Sequence, residues 1–164
     1  MEGGTDVSSA QAKQYHSITI GEKNTWDDWR LVPSSRPLIS PPPVNTNYAE
    51  IIGGDGLIDL TTSLTNHPTY GNRTGSWEFI VINNGQIPYA ISMGDWASRY
   101  SNIMNYLHGK YFDKIILDDE PIYYYSGRLS VAEWNSAKGN STIRINYNLD
   151  PYKRLVSMPG STTF

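Results

Sequence analysis

Apolar and polar residues alternate in three stretches of the chain and follow a helical spacing in one. Ser141 to Asn148 alternates most cleanly. Ile143, Ile145 and Tyr147 fall on one side and Thr142, Arg144 and Asn146 on the other, which predicts a strand with one buried and one polar face. Trp77 to Ile82 lies between Asn72-Arg-Thr-Gly75 and Asn83-Asn-Gly85. It aligns Trp77, Phe79 and Val81, and Ile80 and Ile82 make its second face partly apolar, so a central strand is expected. Tyr15 to Ile20, closing at Gly21, predicts a first strand. Asp95 to His108 differs: Trp96, Tyr100, Ile103, Met104 and Leu107 trace one helical stripe, with Asp95 placed to cap the first amides and Gly109 to supply a left-handed stop. Such a stripe packs on a sheet far more often than it holds a cofactor. Beyond Gly109 the pattern is a meander. It predicts a short strand from Lys114 to Leu117, a turn at Asp118-Asp-Glu-Pro121, a long strand from Tyr123 to Trp134 bending at Ser126-Gly127, and a turn at Lys138-Gly-Asn140 leading into the alternating strand.

Together these elements predict an α+β domain of mainly antiparallel β structure, a β-sandwich or open barrel with one packed helix. The domain is expected over residues 15–154, with a flexible, small-polar tail at Met1–Gln14 and a C-terminal tail over 155–164. Between Trp26-Asp-Asp-Trp29 and Gly53-Gly-Asp-Gly56 runs a proline-rich segment, Pro33-Ser-Ser-Arg-Pro-Leu-Ile-Ser-Pro-Pro-Pro-Val44. Proline fixes φ and removes backbone donors, so this segment must be extended, with few ladder partners. It also carries Leu38, Ile39 and Val44, more apolar surface than a solvated linker usually has. An arm lying on its own domain or on a neighbouring copy is the reading that follows, and it points to an assembly protein before any enzyme.

Composition narrows the class. The 164 residues suffice for one domain with a proper core. Twelve Tyr and five Trp against three Phe favour half-buried sheet faces and contact surfaces. A net charge of −3 gives no basic footprint for nucleic acid, and the absence of cysteine excludes disulfides and thiolate metal sites. With no long apolar run and no leader-like N-terminus, a soluble protein made in a cytoplasm, without membrane partners, is expected.

No catalytic constellation emerges, so no enzyme, cofactor or metal is expected. Asp118-Asp119-Glu120 offers carboxylates for glycoside hydrolysis or a cation, but neighbouring residues in a turn point in different directions, and a solvated, mutationally tolerant hairpin tip is the simpler reading. Gly53-Gly-Asp-Gly56 lacks the lysine of a phosphate loop and the spaced acids of a calcium loop. His16, His67 and His108 are scattered, and His108 suits the end of a helix, where positive charge is favoured. Trp26 and Trp29 suit either sugar stacking or pinning a loop to a core, the latter being commoner. Arg36 and Arg73 stand out as bidentate anchors for an arm or loop.

The phrases Thr19-Ile-Gly-Glu-Lys-Asn-Thr-Trp-Asp-Asp-Trp29, Ser35-Arg-Pro37, Pro41-Pro-Pro43, Gly71-Asn-Arg-Thr-Gly75, Tyr106-Leu-His-Gly109 and Tyr124-Tyr-Ser-Gly-Arg128 resemble those of the ring-forming N-terminal domain of distal tail proteins. These are tail components of phages and prophages of low-GC Gram-positive bacteria. The likeness runs from about Tyr15 to Lys153 and contains no catalytic signature. It implies a β-sandwich with a helix, closed into a hexameric ring at the distal end of the virion tail. DNA would pass through the ring without sequence-specific binding. The implied partners are further copies of the chain, the tail-tube protein, the tape-measure protein and the tail-associated hub or lysin protein. The galectin-like second domain of larger distal tail proteins is expected to be absent. Candidate interface residues are Arg36, Pro37, Leu38, Ile39, Pro41, Pro42, Pro43 and Val44 of the arm, with Arg73. A carbohydrate-binding β-sandwich module of a host-adhesion apparatus is the alternative from a different class, favoured by the aromatic content.

Overall fold

The computed structural model describes residues 15–82, 93–136, 141–157 and 160–164. The expected tail at Met1–Gln14 and the turn at Lys138-Gly-Asn140 lie outside the described residues. In chain order the strands are β1 (Ile18–Ile20), β2 (Lys23–Asn24), β3 (Leu31–Pro33), β4 (Tyr48–Glu50), β5 (Leu57–Asp59), β6 (Arg73–Val81), β7 (Lys110–Leu117), β8 (Tyr123–Ser136), β9 (Ser141–Leu149), β10 (Lys153–Leu155) and β11 (Thr162–Thr163). Helix α1 (Met93–Leu107) lies between β6 and β7. One antiparallel sheet takes the order β2-β1-β7-β8-β9-β6-β3, with β10 beside β8 and β11 beside β10, while β4 and β5 form a separate two-stranded sheet. The large sheet curls into a half-barrel, so the α+β, mainly antiparallel architecture is realised in its open-barrel form.

Alternation builds the core. In β9 the odd positions from Ser141 to Leu149 are buried, and they meet inward residues of both neighbours: Ile145 faces Trp77 and Val131, and Ile143 faces Phe79 and Trp134. Cross-strand rows of this kind are the unit of sheet stabilisation, each buried aliphatic or aromatic side chain contributing about 1.5–3 kcal/mol. Trp96, Ile103 and Leu107 of α1 join the same cluster, and Tyr100 and Met104 pack at its margin, so the helical stripe faces β7 and β8 as its spacing predicts. The helix begins at Met93, which places Asp95 in its first turn rather than at the cap, where its charge still complements the helix dipole. Gly109 follows the helix at φ 74°, the left-handed stop.

Three boundaries differ from expectation for physical reasons. β6 starts at Arg73, because Arg73, Thr74 and Gly75 pair in register with Leu149, Asn148 and Tyr147. A side chain at Gly75 would collide with the Tyr147 ring, so the glycine that suggests a turn instead makes room in a strand. β8 runs on to Ser136, past the expected end at Trp134; its ladder to β9 is irregular between Val131 and Glu133, and its ladder to β7 shifts between Phe112 and Ile115, opposite residues 125–127. Gly127 is where β9 comes closest, a Cβ there running into Asn148 and Leu149. The bulge in β8 also has an output: it returns Trp134 to the core side, where it packs on Tyr100 at 4.7 Å and Trp96 at 5.6 Å. Finally, β1 is short, since Tyr15 and His16 form a turn with His16 at φ 50°.

Candidate assembly interface

The proline-rich arm leaves β3 and crosses β6 and β9. Its first residues extend the β3 pairing, Ser34 donating its amide to the Glu78 carbonyl at 2.9 Å. The backbone is then caught from below. Trp77 Nε1 donates to the Leu38 carbonyl at 3.1 Å, the Tyr147 hydroxyl accepts the Ser40 amide at 3.0 Å, and Arg73 Nη1 donates to the Ser40 carbonyl at 3.1 Å. A chain segment whose prolines remove its own donors is thus fixed by side-chain donors rising from the sheet. Pro37 is buried and Ile39 packs on the main core, while Pro42 is half-buried. Arg36, Pro41, Pro43, Leu38 at 71 % and Val44 at 50 % exposure face outward. The arm therefore has an inner face that belongs to its own domain and an outer face that none of the described residues covers.

Arg73 works on the inner side. It is 5 % exposed, donates through Nε to the Pro151 carbonyl at 2.9 Å, and lies over the Tyr125 ring at 5.7 Å; its Nη2 is buried without a partner. It meets carbonyls and a ring rather than a carboxylate. Such a fork holds arm, sheet and the β9–β10 connection together, which a lysine with a single ammonium could not do.

The turn Asp118-Asp119-Glu120 is corrected by the structure. It is not a solvated tip, because each acid holds a different part of the chain. Asp118 accepts from the Ser17 hydroxyl. Asp119 meets His16 Nδ1 at 2.7 Å and Arg36 Nε at 3.8 Å. Glu120 pairs with Lys153 and accepts from the Tyr125 hydroxyl at 3.1 Å. Burial, then the Glu120 charge beside it, raises the Tyr125 phenol above the ordinary tyrosine range, so it remains a donor at all physiological pH. Turn chemistry alone reads these residues as polar and exposed; only the return of three distant segments, at His16–Ser17, Arg36 and Lys153, gives them partners. Between this turn and arm residues Arg36–Ile39 lies an open cleft of about 360 Å³. His108 takes a structural role at the end of the helix, its Nδ1 accepting the Val131 amide at 3.0 Å. Trp26 and Trp29 are buried and pin their loop.

Sequence reading passed over the largest exposed apolar feature. Pro43, Val44 and Asn45 pair with Gly71, Tyr70 and Thr69, and β4 pairs with β5 farther out, so residues 43–71 form a two-stranded ribbon with Gly53-Gly-Asp-Gly56 at its tip. No residue from 44 to 68 is buried. Ile52 and Leu64 are almost fully exposed, and Tyr48, Ile51, Leu57 and Ile58 are exposed too. The alternation in Leu57-Ile-Asp-Leu-Thr61 signals ordered structure, and β5 forms there, but the sequence does not show that both of its faces remain open.

The described residues thus combine a curled antiparallel sheet, a covering helix, a strapped arm and an exposed apolar ribbon. No family model matches the sequence, and no curated protein matches it. Among solved structures, the chain is similar in fold to the protein described as "SPP1 Dit (gp 19.1) Protein, a Paradigm of Hub Adsorption Apparatus in Gram-positive Infecting Phages". The TM-score is 0.60 at 20 % identity, over 84 % of this chain and 51 % of that one, so this chain spans about half the length of its neighbour.

Proposed function

We propose that this chain is a structural, non-enzymatic component of a phage tail tip, located at the distal end of the tail, that assembles with further copies of itself into a ring. One observation carries the reading: a fold shared with a phage adsorption-hub protein bears an apolar ribbon that its own domain does not cover. An isolated two-stranded ribbon is marginal in water, and exposed Ile51, Ile52, Leu57 and Ile58 make it more so. A second copy supplies the missing cover. Rotational symmetry then lets one patch meet a different patch on the next subunit, and the ring closes when the rotation divides a full turn. The outward residues of the arm, Arg36, Leu38, Pro41, Pro43 and Val44, are the rest of the proposed contact surface. Pro37, Ile39, Pro42 and Arg73 position it.

In this reading the ring is hexameric and joins the tail-tube protein to the hub, with the tape-measure protein and later DNA passing through it. Electron microscopy of the purified chain, with mass measured in solution, tests it. A ring of six copies is the expected result. A monomer at all concentrations that titrates with glycans would replace the assembly reading with a carbohydrate-binding module.

A further inference from the structure

The ribbon has a chemistry that selects its partner surface. Between Asn45 and Thr69 the sequence carries three acids, Glu50, Asp55 and Asp59, and no lysine or arginine. Asp59 is held ionised by its hydrogen bonds to Thr61, the side-chain one foremost, which lower its pKa. An acidic ribbon with exposed isoleucines and leucines needs a surface that is basic and also presents apolar rings.

Elsewhere among the described residues the chain carries a groove with two tyrosine rings and two cations, Lys114 and Arg154, against one lining carboxylate, Asp113. Where β7, β8 and β10 meet, an open groove of about 300 Å³ is lined by Tyr111, Asp113, Lys114, Tyr124, Ser126 and Arg154. Tyr124 lines it from β8, since Tyr125 takes the core side of that strand and its neighbour faces the other way. Lys114 Nζ sits over the Tyr124 ring at 5.8 Å, and Arg154 is Tyr124's register partner across the β8–β10 ladder. Tyr111, about half exposed, forms the second ring of the groove. Among the described residues neither Lys114 nor Arg154 enters an ion pair. Most other described cations are occupied: Arg144 lies between Glu78 and Glu133, Lys153 on Glu120, Arg36 on Asp119, and Arg73, Arg99, Lys110 and Arg128 on backbone carbonyls.

We propose that the acidic ribbon of one copy docks in the Tyr111–Tyr124 groove of a neighbouring copy. Glu50 and Asp55 face Lys114 and Arg154, and the aliphatic side chains of the ribbon pack on the two tyrosine rings. The inference rests on the ring reading above and names the patch that receives the ribbon. The two patches are different surfaces of one chain, as a head-to-tail contact requires. Opposite charges across such a contact set register and accelerate encounter, and they make assembly sensitive to salt.

Charge reversal on the full chain tests this. Four proteins are compared by mass in solution over a range of concentration and NaCl: wild type, Lys114→Glu/Arg154→Glu, Glu50→Lys/Asp55→Lys, and the combination of all four changes. Circular dichroism and melting check that each is folded. Wild type should assemble less readily as salt rises, each half-reversed protein should need about tenfold more protein or greater to assemble, and the fully reversed chain should regain assembly. Assembly of the half-reversed proteins at wild-type concentrations, or failure of the folded fully reversed chain to recover, overturns the docking site while leaving the ring reading intact. A wild type that stays monomeric throughout overturns both.

Discussion

The half-barrel and the ribbon are built from the same strand geometry and yet differ in what holds them. In the sheet, β8 and β9 exchange a long antiparallel ladder, and each inward residue meets a partner on both sides. In the ribbon, β4 and β5 exchange one short ladder with no third strand, and their apolar residues meet water. Backbone pairing is therefore common to both and cannot be the source of the difference. Burial is. A ladder becomes stable when one of its faces is removed from water, and the ribbon has postponed that step to a contact outside the chain.

The largest effect that probes this contrast is a core deletion. Phe79→Ala or Ile145→Ala should destabilise the folded chain by about 3–5 kcal/mol in urea unfolding, while Ile52→Ala should change monomer stability by less than about 0.5 kcal/mol. A large loss at Ile52 in the monomer would break the comparison. Gly127→Ala comes next, with a cost of about 2–3 kcal/mol, because its Cβ would meet the β9 backbone and neither strand can yield without disturbing the ladder.

The arm sharpens the contrast within a single segment. Ile39→Ser should lower monomer stability by about 1–2 kcal/mol, as expected for a partly buried aliphatic residue. Leu38→Ser, one residue away, should leave monomer melting unchanged and shift the distribution of assembled species. If the two variants behave alike, the division of the arm into inner and outer faces is wrong.

Smaller effects belong to the turn. Glu120→Gln should cost about 1 kcal/mol by weakening its contacts with Lys153 and Tyr125. The Tyr125 phenol has a raised pKa in the folded chain, so its stabilisation is complete below the ordinary value of about 10 and is lost as pH rises beyond it. Unfolding measured between pH 8 and 11 should show this alkaline loss in wild type and much less of it in Tyr125→Phe. The smallest expected effect is that of a chelator, which should leave melting unchanged. Among the described residues no three of His, Asp and Glu are grouped to hold a metal ion.

Much of the half-barrel was legible because its signals are local. The stripe Trp96, Tyr100, Ile103, Met104, Leu107 and the alternation of β9 each report a buried face through their period, whatever lies against that face. The candidate interface was legible in part. Prolines announced an extended arm and its aliphatic residues announced contact, but Leu38 and Ile39 are indistinguishable in the sequence and opposite in the structure.

What the sequence determined by itself is the set of strong periods and breaks: the buried faces of β6 and β9, where the helix stops, and that the middle of the Pro33 to Val44 stretch is extended with few ladder partners. Those follow from backbone geometry and from properties each residue carries with it. The tertiary structure decided everything that depends on who the neighbours are. It made Arg73-Thr-Gly75 a strand by supplying β9, turned Asp118-Asp119-Glu120 from a polar tip into a junction by returning Ser17, His16, Arg36 and Lys153 to it, and left the ribbon apolar and uncovered. Burial, pairing and charge compensation belong to pairs of residues, and no single stretch of chain contains both members.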